Sequence, residues 1–291
     1  AIAQGLARVT ELTADGSVPE LRFENDSDQP VLLLDGEELI GAKQNRILNV
    51  TVLAPAKQAI VIPVSCVESG RWNMATPEFK TADHGLFLLA RAKRTAHVTA
   101  SMRASGTRQS DQSAIWNDIA QKSARMKTSS PTGAMSAVYE KHAASVDQYV
   151  NAFNCDPLQA GVIFVIPGSC TGVDLFDNPA SLHRLFPKLV RSYALDALEA
   201  HTPASQAGDP SEVATKIFEE IIAAPSFTQR AVGMGEEIRM DDSSLSGAAL
   251  WALDRYVHVC AFVPDRTHGS NESRTRIDQP SRRYSQRTRV H

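Results

Sequence analysis

Residues 18–72 read VPELRFENDSDQPVLLLDGEELIGAKQNRILNVTVLAPAKQAIVIPVSCVESGRW. Short apolar runs at 21–24, 31–34, 47–53 and 59–64 are divided by turn-forming residues. Asn25-Asp26-Ser27-Asp28-Gln29-Pro30 separates the first two, and Ala54-Pro55-Ala56-Lys57 the last two. Short strands at regular spacing with Pro- and Asp-rich turns predict a β-sandwich or a partly open barrel. The longest polar interruption is DGEELIGAKQNRILN, residues 35–49. It packs Asp35, Glu37 and Glu38 beside Lys43 and Arg46, with Gln44 and Asn45 between the two cations. Polar side chains at a bend between buried strands tend to be positioned rather than merely solvated.

Upstream, residues 6–12 alternate weakly and predict an edge strand. Downstream, 85–93 predict a short helix and 97–102 a strand. Ser110 or Asp111 is a fair N-cap for a helix with Ile115, Ile119, Lys122 and Met126 on one face. Ser130-Pro131 reads as a second helix start, followed by helical spacing from Met135 to Phe153. Residues 161–166 and 171–176 bracket Pro167-Gly168-Ser169-Cys170, a hairpin signal. Asp177-Asn178-Pro179 opens a further helix, with Asp177 as its simplest cap. Pro187 within that run either kinks the helix or marks its true start. A helix is expected over 211–223, then strands over 229–234, 236–240, 248–253 and 256–262, with Asp254-Arg255 as the last turn. Strands, then helices, then strands mixed with helices give an α+β fold rather than a regular βαβ alternation. We expect an N-terminal β-sandwich-like part over 1–72, packed on a helical and mixed-sheet part over 73–263 with which it can share one core.

The chain has 291 residues, 43% hydrophobic and 22% charged, and its net charge is −3. That charge is uneven. From Pro264 onward seven arginines face Asp265, Glu272 and Asp278, so the rest of the chain is acidic. The stretch 264–291 lacks apolar periodicity and reads as a disordered or loosely docked basic tail. A nucleic-acid arm is the weaker reading of it, because no aromatic platform accompanies the charge. No apolar run approaches the roughly 20 residues that span a bilayer. Cys66, Cys155, Cys170 and Cys260 share no CxxC or zinc spacing, which fits free thiols in a reducing cytoplasm. The eight histidines show no HxxxH or HxH spacing, and no glycine-rich phosphate loop or GxSxG occurs. The chain opens on Ala1 rather than on Met, which leaves room for an upstream segment.

Residues 18–72, with RQSDQSAIW (108–116), SPTGAMSAVYE (130–140), GVDLFDNP (172–179) and PKLVRSYALDAL (187–198), resemble a poorly characterised family. This is the ADP-ribosylglycohydrolase and rhodanese-phosphatase associated protein domain. The resemblance runs over roughly residues 1–262, with the DGEE-GAKQNR-LN stretch its most specific part, and it implies one further strand upstream. It implies association with ADP-ribose and phosphoester enzymes, which is a warrant by association rather than a mechanism.

Two readings of the charged stretch stand. In the first, Asp35 and Glu37, two apart and so on one face of an extended chain, act with Glu38 as acid, base or metal ligands. Asp35 and Glu37 would hold Mg²⁺. Lys43, Arg46 and Arg71 would hold the phosphates of an ADP-ribose-like nucleotide. Gln44, Asn45 and Asn49 would add hydrogen bonds, Glu68 would line the ligand, Trp72 would stack, and Arg108, Ser110 and Asp111 would offer a helix-start anion site. In the second, the same charges pair with one another as an internal network in a non-catalytic structural or regulatory protein with a protein partner. Convergence on one solvent-reachable pocket favours the first reading, and mutual burial the second. Cys66 has no histidine within 15 residues and reads as a core thiol.

Overall fold

The computed structural model describes residues 1–13, 15–200, 209–242 and 244–264. The fold is mixed α+β, with a curled antiparallel sheet, a central group of helices and a second antiparallel sheet. Apart from Pro264, the basic tail lies outside the described residues.

The first sheet joins β1 (Ala7–Glu11), β2 (Glu20–Asn25), β7 (Gln58–Cys66), β5 (Arg46–Leu48), β4 (Glu37–Gly41) and β8 (Phe79–Gly85), in that spatial order. Of the two forms the turn spacing allowed, it takes the partly open barrel. The sheet curls until its outer strands β1 and β8 approach one another. Its concave face holds Val9, Leu21, Phe23, Leu39, Leu48, Ile62, Val64 and Phe79. Burial of a side chain of this kind is worth about 1.5–3 kcal/mol, and the period-2 alternation read in the sequence is the trace of that face. A short ribbon of β3 (Val31–Leu33) and β6 (Val52–Ala54) bridges to the second half: Leu33 and Val52 face the first core, and Leu53 joins Leu250 and Val257.

Helix α1 (Leu88–Ser105) is the centre of the molecule. Val98 and Met102 enter the half-barrel core. Ala90 packs among α2 (Gln112–Arg125), α3 (Ser136–Lys141) and α4 (Ala143–Ala152), and Leu88 and Ala92 meet the second sheet. The expected strand over 97–102 is therefore the second half of this helix. Val98 and Thr99 are β-branched and favour strands weakly, and their packing, Val98 in the half-barrel core and Thr99 on Arg239 of the second sheet, overrides that preference. The expected helix start at Ser130-Pro131 is also corrected. Residues 130–135 form turns and a bridge from Ala134 to Glu68, the helix begins at Ser136, and it breaks at His142 into α3 and α4.

The second sheet runs β11 (Ser226–Arg230), β12 (Glu236–Asp241), β13 (Ser246–Ala252), β14 (Arg255–Pro264), β10 (Cys170–Phe176) and β9 (Gly161–Ile166). The last hairpin turns at Leu253-Asp254, both at positive φ (55° and 58°), one residue before the expected Asp254-Arg255. Positive φ at both central residues is the mark of the two-residue turn that matches strand twist. Helix α5 (Pro179–Glu199) starts at Pro179 and runs through Pro187. Its cap is Asn178, which accepts the Ser181 N–H, whereas Asp177 is drawn off to Arg255 at 2.8 Å. Helix α6 (Pro210–Ala223) puts Ile217 against the second sheet. Among the described residues no helix is long and apolar enough to cross a membrane.

Candidate functional site

The carboxylates of the DGEE stretch do not converge. Asp35 and Gly36 form a turn closed by the Glu37 N–H on the Leu34 carbonyl at 3.2 Å, with Gly36 at φ 77°. Glycine adopts that backbone without steric cost. The turn sends Asp35 into the centre of the molecule, where Arg91 donates to it at 2.6 and 3.2 Å and Arg94 donates as well. Arg91 also grips Asp174 at 2.8 and 3.0 Å. Tyr193 and His258 complete Asp174 at 2.8 and 3.1 Å, and His258 meets Thr51 at 3.0 Å. Burial opposes the ionised form of both aspartates, but the guanidiniums outweigh it and hold Asp35 and Asp174 below the usual carboxylate range.

Asp35, His258 and Cys260 place ligand atoms within 4.8 Å of one another. Asp35 already lies between two guanidiniums, and His258 is bonded through both ring nitrogens. Burial together with the Asp35 charge pushes the Cys260 thiol far up. A metal ion there would face Arg91 and Arg94.

Glu37 turns to Lys188 on α5. Glu38, fully buried, accepts from Asn45 at 3.2 Å and meets His84 Nε2 at 2.8 Å. His84 reaches Asp83 at 2.9 Å and stacks on Tyr139 at 3.8 Å. Asp35 and Glu37, expected to share one face as a metal pair, thus have separate partners on different helices.

The cationic half of the stretch is arranged differently. Lys43, Gln44, Arg46 and Trp72 gather at one mouth of the half-barrel. That mouth is where β1 ends, β4 turns into β5, and the chain leaves β7. Arg46 pairs in register with Cys66 and points along the concave face. It is fully buried, and Gln44 Oε1 accepts from Nη1 at 3.1 Å. Among the described residues its Nε and Nη2 have no hydrogen-bond partner. Burial lowers the pKa of this guanidinium, with Cys66, Glu11 and Glu68 pulling it back up. The Trp72 ring covers it at 5.7 Å and lies 5.5 Å from Lys43 Nζ, within cation–π range. Trp72 is itself half exposed.

Three neighbours frame this mouth. Glu68 accepts from Arg71 at 2.7 and 3.0 Å, from the Asn45 N–H at 3.1 Å and from Thr132 at 2.8 Å. Arg71 spends its remaining donors on Ala42, Gly41 and Asn73 carbonyls and on Asn45. Cys66 donates to Gln44 at 3.1 Å, and burial pushes its thiol up, so it suits a core role. Asn49, Arg108, Ser110 and Asp111 lie apart. Asn49 donates to the Arg108 carbonyl at 2.9 Å, Arg108 pairs with Glu237 at 2.7 Å, and Asp111 caps α2 through the Ala114 N–H at 3.0 Å. That helix start is satisfied by its own carboxylate rather than left for an anion.

Sequence reasoning missed Glu11 at the mouth and Arg91, Arg94 and His84 in the interior. The signal for the two arginines was present as a polar stripe, Arg91, Arg94, Thr95 and Thr99, at helical spacing. Glu11 had no comparable signal, because only the curl of the sheet brings it near Arg46.

Larger concavities exist elsewhere. A cleft of about 930 Å³ lies between α1, α2 and the end of α5, and its Lys93 and Arg125 are paired with Asp118 and Glu199. A second, of about 790 Å³, follows the seam of β1 and β8.

Comparison with curated proteins finds no match, and comparison with solved structures finds none either. One family model covers residues 1–262, from the β1 edge of the half-barrel through most of β14. The chain belongs to the family of the ARG and Rhodanese-Phosphatase-superfamily-associated Protein domain, ARPP-1.

Proposed function

We propose that this protein binds a phosphorylated nucleotide of the ADP-ribose class at the mouth of its half-barrel. Arg46 and Lys43 take the phosphate, and Trp72 stacks on the base. The observation that carries this reading is the Arg46 guanidinium, buried with two N–H donors unused. A buried charge without its full set of partners costs several kcal/mol, and an anion bound by two parallel N–H bonds would relieve it. Trp72 and Met74 are exposed between two anchored points of the chain, Arg71 on Ala42 and Ala75 on Ala42, so this short flap is the natural route in. Family association with ADP-ribose systems supports the choice of nucleotide.

The second reading, an internal network, is favoured for the acidic half. Asp35, Glu37, Glu38 and Glu68 each have a partner already. The two readings therefore divide the stretch: the carboxylates hold the frame, and the cations at the mouth bind. Binding is the activity this arrangement supports, since Asp35, Glu37 and Glu38, the carboxylates expected to act as acid and base, are held by partners of their own.

Calorimetric titration with ADP-ribose, NAD and ADP tests this. Saturable binding that falls at least tenfold in Trp72→Ala is the expected result, because base stacking on an aromatic ring is worth about 1–3 kcal/mol. Absence of binding for all three nucleotides overturns the reading.

A further inference from the structure

Glu11 closes the mouth from the opposite side. Its Oε1 accepts the backbone N–H of Lys43 at 3.3 Å, which fixes the carboxylate. Its Oε2 is buried and, among the described residues, has no partner. The surroundings converge on Gly16, in the loop between β1 and β2. A Cβ built there would lie 3.0 Å from Lys43 Cδ, 3.4 Å from Glu11 Oε2 and 3.4 Å from Trp72 Cζ2. Gly16 has φ 77°, so both its backbone and its lack of a side chain let the loop approach these three groups. Glu11 also acts electrostatically on Arg46. Glu11 Oε2, Lys43 and the Trp72 ring thus converge on the Gly16 loop, and the Arg46 guanidinium, with two unpartnered nitrogens among the described residues, lies 5.7 Å from the same ring.

That combination specifies a ligand more narrowly than an anion site does. A fully ionised simple phosphate ester would satisfy Arg46 but leave the Glu11 oxygen unpaired, and its charge would be repelled by the carboxylate. A metal ion or an ammonium group at Glu11 would face Lys43 and Arg46. A neutral donor attached to the anion satisfies both demands. We infer that Glu11 is the specificity residue of this site and that it selects an organic phosphate bearing a free hydroxyl, as in a ribosyl phosphate. The inference rests on the anion site proposed above. The hydroxyl donates to Oε2 while the phosphate accepts from Arg46 Nε and Nη2. Glu11 therefore acts as a filter against fully ionised simple phosphate esters, which meet its charge without offering a proton.

The test compares two probes of the same charge, ribose 5-phosphate and ethyl phosphate, at about pH 8, above the second phosphate pKa of roughly 6 so that neither phosphate offers a proton, by calorimetric titration of the wild-type protein and of Glu11→Met. Leaving a buried acceptor unpaired costs enough for roughly tenfold discrimination or more. The wild type is expected to bind ribose 5-phosphate at least about tenfold tighter. In Glu11→Met that preference is expected to vanish, with ethyl phosphate binding more tightly than before because a negative charge has gone. Equal affinity of the two probes in the wild type overturns the role of Glu11 and leaves the anion site standing. An unchanged ratio in Glu11→Met, with a lowered Tm, makes Glu11 only a counter-ion for Arg46. No binding of either probe overturns the anion site itself, and this inference with it.

Discussion

At the scale of the residue, the protein separates two kinds of buried charge. Arg91 bridges Asp35 and Asp174, and every oxygen it meets has a further partner. Removing one member of such a group strands the others in a medium that solvates them poorly, which costs about 3–5 kcal/mol. Arg91→Met should lose that much in urea unfolding; a loss under about 1 kcal/mol would show that the network is not what holds the centre. His84 supplies a pH dependence. Burial acts against its charged form, but bonds to Asp83 and Glu38 outweigh it and raise its pKa above the ordinary 6.5. The stabilisation is fully present below the unfolded value and is lost as pH rises through the raised folded value. Urea midpoints should fall across that rise, and His84→Gln should remove this part of the decline. A wild-type profile that climbs over the same range would contradict the assignment.

At the scale of the element, the strands were legible because turns and alternation agree. Residues 21–24 and 59–64 become β2 and β7, paired from Glu20↔Pro63 to Asn25↔Gln58. The face Ile115, Ile119, Lys122 and Met126 is buried as its spacing implied. Helix α1 was illegible in its second half because Val98 and Met102 share its buried side with the polar Thr95 and Thr99, which interrupts the apolar stripe. The strand Phe79–Gly85 was hidden for a related reason: its buried His84 and Gly85 face Glu38 and Ser192 rather than an apolar core. The site residues followed the same division. Lys43, Gln44, Arg46 and Trp72 were legible as types, but whether each was free or paired depends on partners far along the chain, such as Lys188 for Glu37. Cap residues test the local part. Asp111→Ala should cost about 1 kcal/mol, the usual worth of an N-cap, read as a lowered urea midpoint with an unchanged slope. No change at all would mean that α2 is held by its Gln112 contacts to Cys66 alone.

At the scale of the whole molecule, α1 belongs to three apolar clusters at once, and the β3–β6 ribbon packs against both six-stranded sheets. Apart from the cluster that α6 forms with the second sheet, each core cluster joins residues of both halves. Fluorescence of the tryptophans and far-ultraviolet circular dichroism should therefore report one coincident unfolding transition; two separated transitions would show independent halves. The proposed binding mouth sits at the rim of this shared frame, so its residues can be changed with less risk to the fold. The most direct test of the division between frame and site is Arg46→Met. Replacing a buried, incompletely paired charge by an apolar chain of similar length is neutral or stabilising by about 1–4 kcal/mol. We expect the variant to unfold at the wild-type temperature or above it while its ADP-ribose titration becomes flat. Undiminished binding, or a large loss of stability with Arg46→Met, would contradict the account and return Arg46 to the structural network.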